Sequence, residues 1–181
     1  MEARPATPSG TQEARFLLDT NICIYIRRKK PEEVLRRFRT LKAGEAALSV
    51  ITFGELIYWV EKSVDRAAMG RNSRSLTTFG MTSGERGRSS LKARLPRAAQ
   101  RAAALELLRE LARVLPVMGL PETAAEAYGT IRAELERKGQ MIGNNDLWIA
   151  AHAKAAGLTL VTNNEREFRR VRGLKVENWA V

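Results

Sequence analysis

The chain has 181 residues, enough for one domain with a proper core and short for two. Lys and Arg outnumber Asp and Glu by 31 to 20, a net charge of +11; this favours polyanionic partners, nucleic acid first, although an acidic protein partner or solubility would account for the same balance. The single cysteine, Cys23, excludes an internal disulfide, and no apolar run approaches the roughly 20 residues of a membrane span or leads a signal peptide, so a cytoplasmic protein is expected.

Residues 1–14 carry Pro5, Pro8, Ser9, Gly10 and Thr11 with almost no large apolar side chain, which predicts a flexible tail before a domain at 15–181. Phe16-Leu17-Leu18 then reads as a buried strand that releases Asp19 at its tip. Thr20 to Arg28 is apolar almost all round and suits a covered helix, with Cys23 as a small core hydrophobe. Pro31 opens another helix, whose stripe is Val34, Leu35, Phe38 and Leu41. Ala46 to Ile51 is a second buried strand, after which Thr52 caps a helix running through Gly54 to Val60.

From Val64 to Arg101 the chain changes in kind. Nine basic residues (Arg66, Arg71, Arg74, Arg86, Arg88, Lys92, Arg94, Arg97 and Arg101) face two acids, Asp65 and Glu85, with four glycines and no sustained apolar period. That composition predicts a basic, partly disordered insertion at about 64–101. A helical stripe returns with Leu105, Leu108, Leu111 and Ala112, followed by a short strand within Val114 to Met118. Pro121 and Glu122 open a helix with the stripe Ala124, Tyr128, Ile131 and Leu135, ended by Gly139. Asn144 or Asn145 caps the helix of Asp146, which Gly157 closes; Leu158 to Thr162 and Leu174 to Glu177 complete the strands.

Strands that are continuously apolar and alternate with helices predict an α/β protein with a parallel sheet covered on both faces. Ligands of such sheets sit beyond the carboxyl ends of the strands, where this sequence places Asp19 and Thr162-Asn163-Asn164-Glu165. Three acids therefore stand out: Asp19, Glu55 and Asp146. Singly, each has an ordinary explanation: Asp19 as a helix cap, Glu55 as the end of a Thr52-x-x-Glu55 capping box, Asp146 as a first-turn acid favoured by the helix dipole. Together on one edge of a sheet they would repel unless a cation neutralised them. Oxygen-only ligation points to Mg²⁺ or Mn²⁺ rather than zinc. Glu55, not committed to the ion, would orient or deprotonate a water. The only histidine, His152, follows Asp146 by six residues, about 240° around a helix, and is expected to be structural.

These stretches, Phe16-Leu17-Leu18-Asp19-Thr20-Asn21, the Glu55 helix, Gly143 to Ala153 and Leu160 to Phe168, closely resemble the PIN-domain nucleases, and among them the VapC ribonuclease toxins of type II toxin-antitoxin modules. The resemblance runs from about Phe16 to Trp179. It implies a three-layer α/β/α sandwich with a mostly parallel sheet and a Mg²⁺-dependent endoribonuclease, with Mn²⁺ as the alternative ion. It also implies a structured RNA substrate such as tRNA or rRNA, and a homodimer neutralised by a cognate VapB-type antitoxin. Asp19, Glu55 and Asp146 match the family's catalytic acids, Asp19 and Asp146 its direct metal ligands, and Thr162 a hydroxyl beside the site. Many members carry a fourth acid just after the Thr162 position; here Asn163 and Asn164 stand there, so the fourth position falls to Asn164 or Glu165.

The insertion is the second departure, since relatives have a much shorter connection; it reads as a solvated loop, as added phosphate contacts for RNA, or as a disturbance of the site's edge. A catalytically silent PIN-like module that binds RNA or antitoxin is the competing function. A phosphotransfer protein is disfavoured, because Asn21 stands where a second aspartate is needed.

Overall fold

The computed structural model describes residues 14–69 and 96–181. The expected tail, except Ala14, and the middle of the expected insertion lie outside these residues. In chain order the elements are β1 (Phe16–Leu18), α1 (Thr20–Arg28), α2 (Glu32–Arg39), β2 (Ala46–Ser49), α3 (Val50–Met69), α4 (Arg97–Val114), β3 (Val117–Met118), α5 (Thr123–Arg137), α6 (Asn144–Ala155), β4 (Thr159–Val161), α7 (Glu165–Phe168) and β5 (Val176–Glu177).

The strands form one sheet in the order β3-β2-β1-β4-β5, and every pairing is parallel. Phe16, Leu17 and Leu18 are all buried because β1 is central and covered on both faces. Successive side chains alternate between two apolar layers. Phe16, Leu18, Ala46, Leu48 and Val161 pack with Ile22, Cys23, Val34, Leu56, Val60 and Leu108 from α1 to α4. Leu17 and Leu160 pack with Ile131, Leu135, Leu147, Ile149 and Phe168 from α5 to α7. The α/β/α sandwich and the parallel sheet expected from the sequence are both present.

This order has a consequence for function. The chain winds outward from β1 through β2 to β3, then returns to the other side of β1 for β4 and β5, so the direction of winding reverses between β1 and β4. Beyond the carboxyl ends of these two strands a crevice opens, which is where doubly wound sheets place a ligand. Leu18 pairs with Val161, and the Asp19 N–H donates to the Val161 carbonyl at 3.0 Å. Asp19 and Thr162, one residue beyond each strand, are thereby fixed side by side.

Three local expectations are corrected. Helix α3 begins at Val50, and its cap is Ser49, whose Oγ accepts from the Ile51 N–H at 3.2 Å; Thr52 lies inside the helix with its buried hydroxyl unpartnered among the described residues. Helix α6 starts at Asn144 without any side-chain cap, because its cap position is Gly143; Asn145 lies inside the helix and donates to Glu55. The stretch read as an insertion at 64–101 is helical at both ends, α3 reaching Met69 and α4 starting at Arg97. Arg101 pairs with Glu61 at 2.6 Å across these two helices. Among the described residues no helix is long and apolar enough to cross a membrane.

Candidate active site at the sheet switch point

Asp19 is the residue before α1 and 5% exposed, and its two oxygens have different partners. Oδ1 accepts from the Thr20 N–H at 2.7 Å, which is the helix-cap role. Oδ2 accepts from the Asn21 side-chain amide at 2.6 Å and from the Thr162 hydroxyl at 2.7 Å. Thr162 is wholly buried, and its oxygen also receives the Asn164 N–H at 2.9 Å, so Asp19 is held rigidly from two strands. Capping and site membership therefore coincide in one side chain.

Glu55 takes no part in a box with Thr52. Its Oε2 accepts from the Thr20 hydroxyl, one residue beyond Asp19, and its Oε1 accepts from the Asn145 amide at 2.7 Å, one residue before Asp146. Glu55 is thus suspended between the neighbours of the other two acids, so the first turns of α1 and α6 converge on the second turn of α3.

The acids also act on one another through their charges. Asp146 is pushed up to about 7, first by burial, then by the charge of Asp19, a hydrogen bond with Glu167, and the charges of Glu167 and Glu55. Asp19 is also raised, burial outweighing the hydrogen bonds from Thr162 and Thr20 that pull the other way, with the Glu55 charge adding to the rise. Among the described residues no Lys or Arg forms an ion pair with Asp19, Glu55, Asp146 or Glu167. Among the described residues the negative charge of the crevice has no cation paired with it.

Residues 16–174 match the PIN domain family. The chain belongs to that family, among the VapC proteins. Ribonuclease VapC2 of Haemophilus influenzae is 37% identical over 165 residues, covering 91% of this chain and 98% of that protein. The tRNA(fMet)-specific endonuclease VapC of Shigella flexneri is 36% identical over 166 residues, covering 92% and 98%. The crystal structure of DNA-bound VapBC from Salmonella typhimurium superposes with a TM-score of 0.66 at 34% identity, over 92% of this chain and 98% of that one.

In this VapC-family chain the residues after Thr162 divide their work. Asn163 donates from its side chain to the Tyr25 hydroxyl at 3.0 Å and from its backbone to Asn21, so it braces α1. Asn164 contributes its backbone N–H to Thr162. Glu165 accepts from Asn178 at 2.9 Å and is paired with Arg169, contacts that hold it below the usual carboxylate range. Glu167 is the carboxyl that meets Asp146. Sequence reading passed over it because it lies two residues beyond the nearest acid. Glu165 and Glu167 are both half-buried on the same short helix, so position in the sequence did not separate them.

His152 is wholly buried, as its structural reading expected, and its Nδ1 lies 3.0 Å from Ser49 Oγ. Burial lowers its pKa, which keeps the ring neutral.

Whether a divalent cation suits these residues turns on their charge and spacing. Among the described residues no three acid, imidazole or thiol groups form a ready-made metal cage. Mg²⁺ is characteristically bound by one or two carboxylates, with water and substrate phosphate completing its octahedron, so a closed cage is not what it needs. Negative charge on hard oxygen donors, with the acids raising one another's pKa, fits such an ion.

Proposed function

We propose that this protein is a metal-dependent endoribonuclease toxin that hydrolyses phosphodiester bonds of structured RNA, with tRNA and rRNA as the substrate class. Mg²⁺ is the expected ion and Mn²⁺ its substitute. The observation that supports the reading is Glu55 hydrogen-bonded to Thr20 and Asn145, the chain neighbours of Asp19 and Asp146, beside the crevice between β1 and β4. Asp19 and Asp146 would hold the ion directly. When bound, it supplies positive charge that stabilises the phosphoryl oxygens and makes a nearby water more acidic.

The remaining chemistry belongs to the side chains. Thr162 and Asn21 fix Asp19 Oδ2, and the Thr20 N–H fixes Oδ1, so Asp19 presents its free lone pairs in a set direction. Glu55, steadied by Thr20 and Asn145, orients the attacking water and takes its proton as the phosphodiester opens. Glu167 faces Asp146 and occupies the fourth acidic position functionally.

The relatives add the biological setting. One bears the name of a tRNA(fMet)-specific endonuclease, and the Salmonella typhimurium neighbour is a VapBC complex. We infer a cytoplasmic homodimer neutralised by a VapB-type antitoxin. The test incubates purified protein with tRNA and rRNA over a Mg²⁺ and Mn²⁺ series, beside Asp19→Asn and Asp146→Asn. Cleavage by the wild type alone supports the reading. RNA left equally intact by all three would leave a binding module instead.

A further inference from the structure

Beyond Glu55, helix α3 presents two large aromatic side chains to solvent. Tyr58 is 56% and Trp59 42% exposed, although Leu56 and Val60 on the same helix are buried in the core. Their rings meet edge to face at 6.2 Å. The Lys62 ammonium lies 5.2 Å from the Tyr58 ring and 5.6 Å from the Trp59 ring, and donates to the Tyr58 hydroxyl at 3.1 Å. Neither ring is among the buried residues of the core.

Their position relative to the acids is informative. Tyr58, Trp59 and Lys62 follow Glu55 by three, four and seven residues, the spacing of a single helix face, so all four lie in a stripe roughly 100° wide. Along the axis the rings stand about 5 Å from Glu55 and the lysine about 10 Å, at 1.5 Å per residue. A nucleotide adjoining a phosphate held at the acids would reach them.

We propose that Tyr58 and Trp59, with Lys62, form a stacking platform for an unpaired base beside the cleaved phosphodiester, an inference that rests on the ribonuclease reading. Every base has a π-face, so aromatic rings bind unpaired bases with little regard to sequence. Lys62 offers a cation to the adjoining phosphate while holding both rings. The continuity of this face with Glu55 on one helix and the net charge of +11 favour RNA over a protein partner. An unpaired base is required, which directs cleavage to loops of structured RNA.

The test has two arms. In the first, Asp19→Asn protein binds short unpaired oligoribonucleotides, each with one 2-aminopurine. Quenching at one position is expected, lost with Trp59→Ala added and kept with Trp59→Phe. In the second, tRNA cleavage by Tyr58→Ala and Trp59→Ala should show KM raised roughly 5- to 100-fold, the range of one lost base stack, with kcat little changed. Thermal unfolding of these surface variants should match the wild type. Wild-type cleavage with unaltered KM in both variants overturns the platform but leaves the ribonuclease reading standing. Absence of cleavage by the wild type removes that reading first. Variants that cut RNA normally but lose self-association or antitoxin binding would assign the face to a protein partner and also overturn the proposal.

Discussion

The Asn145 side-chain amide donates to Glu55 Oε1 at 2.7 Å, joining helices whose sequences are 90 residues apart. From the second residue of α6 it holds the acid that would handle the water. We predict that Asn145→Ala lowers kcat about 10- to 100-fold, the range for losing a hydrogen bond to a charged group, with little change in unfolding midpoint. Single-turnover RNA cleavage measures this, and an unaltered rate would show that Glu55 needs no brace.

Thr162 receives two donors and gives its own proton to Asp19. Thr162→Val keeps the shape and deletes the hydroxyl, leaving buried groups unpaired at a cost of about 1–3 kcal/mol. Urea denaturation should show that loss together with weakened Mn²⁺ binding. Loss of stability without loss of binding would reduce Thr162 to a packing role.

Glu167 and Glu165 provide a paired test of which acid adjoins the site. Glu167→Gln removes a charge that raises Asp146, so the metal-free protein should gain stability near neutral pH and bind Mn²⁺ less tightly. Glu165→Gln breaks contacts with Arg169 and Asn178 at the surface and should alter neither quantity beyond about 0.5 kcal/mol. Denaturation and Mn²⁺ titration of both variants decide the assignment, and equal effects would reject it.

The pH dependence follows from signs. Asp146 titrates near 7 when folded against an ordinary value of 3.8, so the unfolded chain releases this proton more readily. Its contribution is complete below about pH 4 and is lost as pH rises toward and through about 7. His152 acts oppositely: burial lowers its pKa from 6.5, so stability is lost as the pH falls through its folded value. Metal-free wild type should therefore lose stability from about pH 4 to about 7 relative to Asp146→Asn, and a saturating divalent cation should cancel that slope. A slope identical in the variant would place the titration elsewhere.

How much of this was legible beforehand depended on whether a residue answered to local or distant demands. Leu17, Leu18, Leu160 and Val161 announced buried strands because a sheet covered on both faces needs apolar residues without alternation. Thr52 misled because Thr-x-x-Glu is a capping signature, whereas Ser49 took the cap and the β2 edge together, freeing Glu55 for Thr20 and Asn145. The start of α4 was hidden by its basic composition; Ala102, Ala103 and Ala104 favour helix strongly without contributing an apolar period. Asn145 and Glu167 were out of reach for a different reason. The partner of Asn145 is 90 residues away, and Glu167 meets Asp146 from a separate helix, neither of which local periodicity reports.

Calorimetric titration with Mn²⁺ at pH 8 tests the central claim most directly, because it asks whether the acids act as one ion-binding unit before any RNA is present. Saturable binding in the wild type, weakened at least tenfold by either Asp19→Asn or Asp146→Asn, is the predicted result. Wild-type protein that takes up no Mn²⁺, or binding that neither substitution disturbs, would contradict it.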